Sequence, residues 1–169
     1  MTSSVKADAT NTVTITYHLT LPDGHVIAGT KTCTNLDRLD CPQYYYREED
    51  RKDERGKPVY LHMWDPDTQL FDWLANQVFA HCRNDTQTYT AAARRAVGRV
   101  DVVDDQGPCH SCRGVLSQFH REYPNVVVKV DYATGDVNRP TKPAGTGKGV
   151  YGYAEGAVHT GRGWWTKTL

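Results

Sequence analysis

The sequence predicts an α/β fold on three observations: strict alternation near the start, an apolar repeat every three to four residues in the middle, and a helix, strand, loop, helix, strand order after it. At 169 residues the chain suits one domain with one core. Within a single unit spanning 1–169, residues 1–11 read as a flexible leader, 34–57 as a surface insertion and 133–169 as a Gly-rich C-terminal extension.

Thr12 to Leu21 places Val13, Ile15, Tyr17, Leu19 and Leu21 on one face, the pattern of a half-buried strand. Pro22-Asp23-Gly24 is a turn signal, and the run to Thr32 completes a hairpin. The insertion contains Tyr44-Tyr45-Tyr46, which either stack on bases or pack as a lid over the core. Pro58 to Trp64 reads as a strand, and Asp65-Pro66-Asp67 as a cap and first turn. Leu70, Phe71, Trp73, Leu74, Val78 and Phe79 then mark a core-facing helix.

A second helix is expected from Asn84-Asp85 to Gly98, then a strand over Arg99 to Val103. A third helix opens at Cys109 and ends near Tyr123-Pro124, and Val126 to Val130 forms the next strand. The extension is enriched in base, with Arg139, Lys142, Lys148, Arg162 and Lys167, and is the place to seek a local polyanion site.

Lys plus Arg equal Asp plus Glu at 20 each, so no global basic field announces nucleic acid. No stretch approaches the roughly 20 apolar residues of a membrane-spanning helix. The five cysteines are an odd number, which argues against a complete disulfide framework. Cys109 and Cys112 stand one helical turn apart at a helix start, where the dipole favours thiolates, so they suit Zn²⁺ or a redox dithiol.

Upstream, Asp85-Thr86-Gln87 also sits at an expected helix start, separated from Pro108 by room for one helix and one strand. Asn84-Asp85-Thr86-Gln87, the run Pro108-Cys109-His110-Ser111-Cys112-Arg113-Gly114-Val115 with Gln118-Phe119, and Tyr123-Pro124-Asn125-Val126 together resemble the deaminase domains of bacterial polymorphic toxins. Many of those domains carry Asp-Thr-Glu where other deaminases carry His-x-Glu. The resemblance covers Phe71 to Tyr132 and implies a cytidine-deaminase-like, three-layer α/β/α fold with a central mixed sheet.

It further implies zinc held by Asp85, Cys109 and Cys112, an acidified water that attacks C4 of cytosine or C6 of adenine, and a carboxylate that moves the protons. His81 and Cys82 are alternative third ligands, since aspartate is the harder partner in a thiolate-rich site. Gln87 stands where the family places its glutamate; it has the reach of glutamate and cannot titrate. Losing a general acid/base slows reaction by roughly 10²–10⁴, so the chain is expected to be nearly inactive as written. A deliberate Glu-to-Gln replacement, made to trap substrate or tolerate a toxin, explains this better than drift.

Implied substrate contacts are Trp64, Asn84, Thr86, Pro108, His110, Ser111, Tyr45, Trp164 and Trp165. The implied substrate is a flipped or single-stranded base, cytosine in DNA first. A monomeric secreted effector acting in the target-cell cytoplasm, with a cognate immunity protein and no membrane association, completes the expectation. Such domains end long secreted proteins, so Met1 would begin an excised piece. Two rivals stand beside it: a catalytically dead, zinc-stabilised nucleic-acid or protein binding module, and a thiol oxidoreductase using Cys109 and Cys112.

Overall fold

A computed structural model describes residues 10–46, 51–52, 54–56, 58–60, 64–106, 110–133, 158–161 and 164–169. Strands β1 (Thr12–Thr20) and β2 (Val26–Thr34) form the expected hairpin, antiparallel from Thr12 opposite Thr34 to Thr20 opposite Val26. Strands β3 (Arg51–Lys52) and β4 (Pro58–Tyr60) pair separately. Then come α1 (Pro66–His81), α2 (Thr86–Arg95), β5 (Val97–Asp104), α3 (His110–Glu122), β6 (Val126–Ala133), β7 (Val158–Gly161) and β8 (Trp164–Thr168).

The main sheet runs β2-β1-β5-β6-β8-β7. β1 is antiparallel to β5, β5 parallel to β6, and β6 antiparallel to β8, so the sheet is mixed. The α3 crossover between β5 and β6 supplies the one parallel pair. This is the α/β, cytidine-deaminase-like architecture expected from the sequence. Part of the C-terminal extension joins the sheet: β8 pairs with β6 and carries β7 at the edge.

Alternation builds the core. Val13, Ile15 and Leu19, Val100 and Val102, and Val126, Val128 and Val130 are all buried on the face covered by α1 and α3. Phe71, Leu74, Val78, Leu116 and Phe119 fill that layer from the helices, and Tyr89 and Ala93 add α2 to it. The opposite face carries Thr16, His18, Arg99 and Val127, all exposed. Among the described residues the helices therefore lie on one face, and the outer helical layer implied by a three-layer arrangement is not among them.

The insertion is not a loose loop where it is described. Asp72 Oδ1 accepts the backbone N–H groups of Tyr44 and Tyr45 at 3.0 and 2.9 Å, and Asn76 Nδ2 donates to the Pro42 carbonyl at 2.9 Å. Residues 37–46 are thereby strapped along α1.

Gly98, at the start of β5, has φ +145°, and a Cβ there would lie 2.0 Å from the His18 carbonyl oxygen. Neither the conformation nor the space admits a side chain. Gly98→Ala is expected to lower stability by about 2–4 kcal/mol in urea unfolding. An unchanged midpoint would refute this close approach.

Candidate active site

Pro66 opens α1 at the position where its fixed φ fits and its missing N–H is no loss. Asp65 is the cap residue by backbone position, yet its side chain makes no capping hydrogen bond. The cap's carbonyl accepts Thr68 Oγ1 and the Gln69 N–H instead, at 2.8 and 3.1 Å. The Asp65 carboxylate turns towards α3, where Cys112 Sγ donates to Oδ2 at 3.4 Å.

That contact joins the beginnings of two helices beside the carboxyl end of β5. Asp65, Asp67, Asp104, Ser111 and Cys112 are all buried, Asp67 completely. Carboxylates are rarely removed from water without compensation, and the positive ends of α1 and α3 supply part of it. Asp67 also bears on the sheet: the Cys33 thiol is pushed up to about 12, first by burial and then by the carboxylates of Asp37 and Asp67.

Gln69, one turn into α1, is held by three backbone partners. Its Oε1 accepts the Leu39 N–H at 2.9 Å, and its Nε2 donates to the carbonyls of Trp64 at 2.9 Å and Asp37 at 3.1 Å. An amide can satisfy both senses of that arrangement and an ionised carboxylate cannot. Arg38 lies over the Trp64 ring, its guanidinium carbon 4.0 Å from the ring centroid.

The residues singled out around position 85 lie elsewhere. Asp85 caps α2, accepting the Thr88 N–H at 2.7 Å and the Thr88 hydroxyl at 2.6 Å. Those two bonds hold its carboxyl below the ordinary carboxylate range. Arg83 and Asn84, both at φ 55°, turn the chain between α1 and α2. Thr86 and Gln87 are exposed. Gln87 lines a pocket of about 430 Å³ with Pro22, Asp23, His81 and Arg95, at the hairpin end of the sheet.

A helix of 16 residues is about 24 Å long, and Asp85 follows the end of α1 whereas Asp65 precedes its start. The structure therefore does not bring Asp85, Gln87, His81 or Cys82 to Cys112. His81 is engaged locally, its Nε2 2.7 Å from Asp23 Oδ2 and its ring stacked 3.9 Å from that of His25. Cys82 packs in the core, with burial raising its thiol.

Asp-Thr-Gln occurs twice, at 67–69 and at 85–87. The second occurrence fits the expected spacing, but the first stands beside the cysteine. Sequence reasoning treated Asp65-Pro66-Asp67 only as a helix start; the repeated triplet was the available signal.

Of the other expected contacts, Ser111 is buried next to Cys112, and Tyr45 is buried against Phe119, ring centroids 6.2 Å apart. Trp164 and Trp165 belong to β8 by backbone, but their side chains lie outside the described residues, as do Pro108, Cys109 and the side chain of His110. Among the described residues no group of three His, Cys, Asp or Glu side chains is arranged to hold a metal ion. The donors that are present, a buried thiol and buried carboxylates at two helix starts, with Cys109 one turn before Cys112 in sequence, have the chemistry zinc requires. Among the described residues Cys33 and Cys82 are free thiols.

Asp85→Ala is expected to lower the thermal midpoint at neutral pH by removing the α2 cap. Because the folded carboxyl titrates below its unfolded value, this contribution is present above the unfolded pKa and lost as pH falls through the folded one. The wild-type and Asp85→Ala melting curves should therefore converge in acid; curves that stay equally far apart at low pH would contradict the capping role of Asp85.

Comparison with known proteins gives one family. Residues 53–134 match the family model Toxin-deaminase, the BURPS668_1122 family of deaminases. No curated protein and no solved structure matches the chain.

Proposed function

We propose that the chain, whose residues 53–134 match the toxin-deaminase family model, is a zinc-dependent nucleic-acid base deaminase whose site lies at the paired starts of α1 and α3. The observation that carries this reading is the Cys112–Asp65 contact, which sets the Cys-x-x-Cys helix against the triplet Asp67-Thr68-Gln69. Asp67, Cys109 and Cys112 would hold the ion. When bound, zinc lowers the pKa of a water to near neutrality and so supplies the nucleophile for amine replacement at an exocyclic position of a base.

The remaining work falls to the protein's own groups. Asp65 accepts the proton of the Cys112 thiol in the metal-free chain, a proton the sulfur would give up on taking an ion. Ser111, buried beside it, offers a hydroxyl to the pocket. Gln69 occupies the place two residues after the ligand, where the proton carrier of such deaminases stands. A glutamine there can donate a hydrogen bond but carries no proton between ring nitrogen and leaving amine. Turnover as written is therefore lower by roughly 10²–10⁴ than with a carboxylate.

Cytosine in single-stranded DNA is the first substrate, and a cognate immunity protein and delivery as a secreted effector accompany the toxin reading. No helix among the described residues is long and apolar enough to cross a membrane. A second reading, a zinc-stabilised binding module without turnover, is favoured by Gln69 itself, whose amide is fully occupied as a structural bracket.

Two substitutions separate these readings. Gln69→Glu sets a carboxylate against two carbonyls and is expected to destabilise the fold by about 1–3 kcal/mol while raising deamination of a cytosine oligonucleotide, read by mass spectrometry, at least tenfold. Gln87→Glu is expected to change neither. Gain of activity from Gln87→Glu would overturn this site, and inactivity of folded, zinc-loaded Gln69→Glu would favour the binding module. A parallel zinc assay should show metal lost from Asp67→Asn and retained in Asp85→Asn.

A further inference from the structure

Between the distal halves of α2 and α3 lies a groove of about 570 Å³ lined by Tyr44, Thr90, Arg94, Gln118, Arg121 and Glu122. We propose that it docks the phosphodiester backbone of a single nucleic-acid strand flanking the target base. The inference rests on the nucleic-acid reading of the site and adds the path by which the strand leaves it.

Three features give the groove that chemistry. First, Arg94 of α2 and Arg121 of α3 both line it, both are exposed, and among the described residues no ion pair engages either guanidinium. In a chain with 20 basic and 20 acidic residues, two uncompensated guanidiniums sharing one groove mark a local anion site. Second, the groove's one carboxylate is turned inward. Glu122 accepts the hydroxyls of Tyr89 and Tyr44, and its burial raises its pKa, so it opposes an anion less than a solvated carboxylate would. Third, Tyr44, which lines the groove, is 43% exposed, and Tyr46, tied to the groove's Gln118, is 74% exposed, and such rings suit base stacking.

The strap and α3 link the groove to the site. The strap that carries these tyrosines begins at Gln69, which binds Asp37 and Leu39, and ends on α3, where Gln118 accepts the Tyr46 N–H at 2.9 Å and donates to the Tyr46 carbonyl at 2.8 Å. Gln118 lies six residues beyond Cys112, about 9 Å along the helix axis. A strand whose base enters beside Cys112 can therefore lay its adjoining phosphates between Arg94 and Arg121.

The test is fluorescence anisotropy of the full chain with labelled single-stranded cytosine-containing oligonucleotides, in DNA and RNA arms, across a salt series. The double variant Arg94→Ala/Arg121→Ala is compared with Arg99→Ala/Lys129→Ala, which removes equal charge from the opposite sheet face. The groove variant is expected to bind roughly tenfold more weakly at low salt, with a log–log salt slope reduced by about 1.4 for two lost phosphate contacts. The control pair should bind like the parent chain. Equal losses in both doubles, an unchanged slope in the groove variant, or a parent chain that binds neither polymer would overturn the groove. Inactivity of Gln69→Glu alongside the expected binding losses would instead refute deamination and leave the groove standing, since anisotropy needs no turnover.

Discussion

The hydrogen bond from the Cys112 thiol to the Asp65 carboxylate is the constraint on which the site depends. It holds together two helices that reach the same point by different routes, α1 after the inserted strap and α3 directly after β5. Both present their N-terminal, partly positive ends there, which is the electrostatic condition for collecting carboxylates and thiolates in a dry place. The position is also the one that open α/β sheets reserve for ligands, the crevice beyond the carboxyl ends of parallel strands. Here that parallel pair is β5 and β6, and the helix between them carries the cysteine.

Much of this was legible in the sequence. Alternation from Thr12 fixed the hairpin and its buried face, and the apolar spacing after Asp65 fixed α1, because both signals report burial directly. The Cys-x-x-Cys helix and the strand after it were equally plain. The partner of the cysteines was not. Asp67-Thr68-Gln69 and Asp85-Thr86-Gln87 each follow a strong helix-start signal, and local capping chemistry cannot tell a ligand from a cap. The distinction lies in the tertiary contact: Asp85 turns Oδ2 to the N–H and hydroxyl of Thr88, whereas Asp65 forgoes capping for Cys112. Both helices were legible; which of their two starts meets the cysteine was the unreadable step.

The strap shows how one segment serves both fold and site. Tyr45 packs inward against Phe119 while Tyr44 and Tyr46 stay at the surface, so the three tyrosines divide the two roles between them. Its ties to Gln69, Asp72 and Gln118 are all side chain to backbone, which gives partners to backbone groups of an irregular segment lying over helices. Beneath it, Tyr89 donates to Glu122 and accepts from Tyr123 at 3.0 Å, a polar network that fixes α2 against α3. The groove between those helices owes its shape to that network.

Zinc-edge X-ray absorption on the purified protein bears most directly on the meeting of the two helix starts. One zinc per chain is expected, with a first shell of sulfur and oxygen or nitrogen that disappears when Cys112 is replaced by serine and survives replacement of Asp85, His81 or Cys82. A metal-free protein, or a zinc shell indifferent to Cys112, would contradict it.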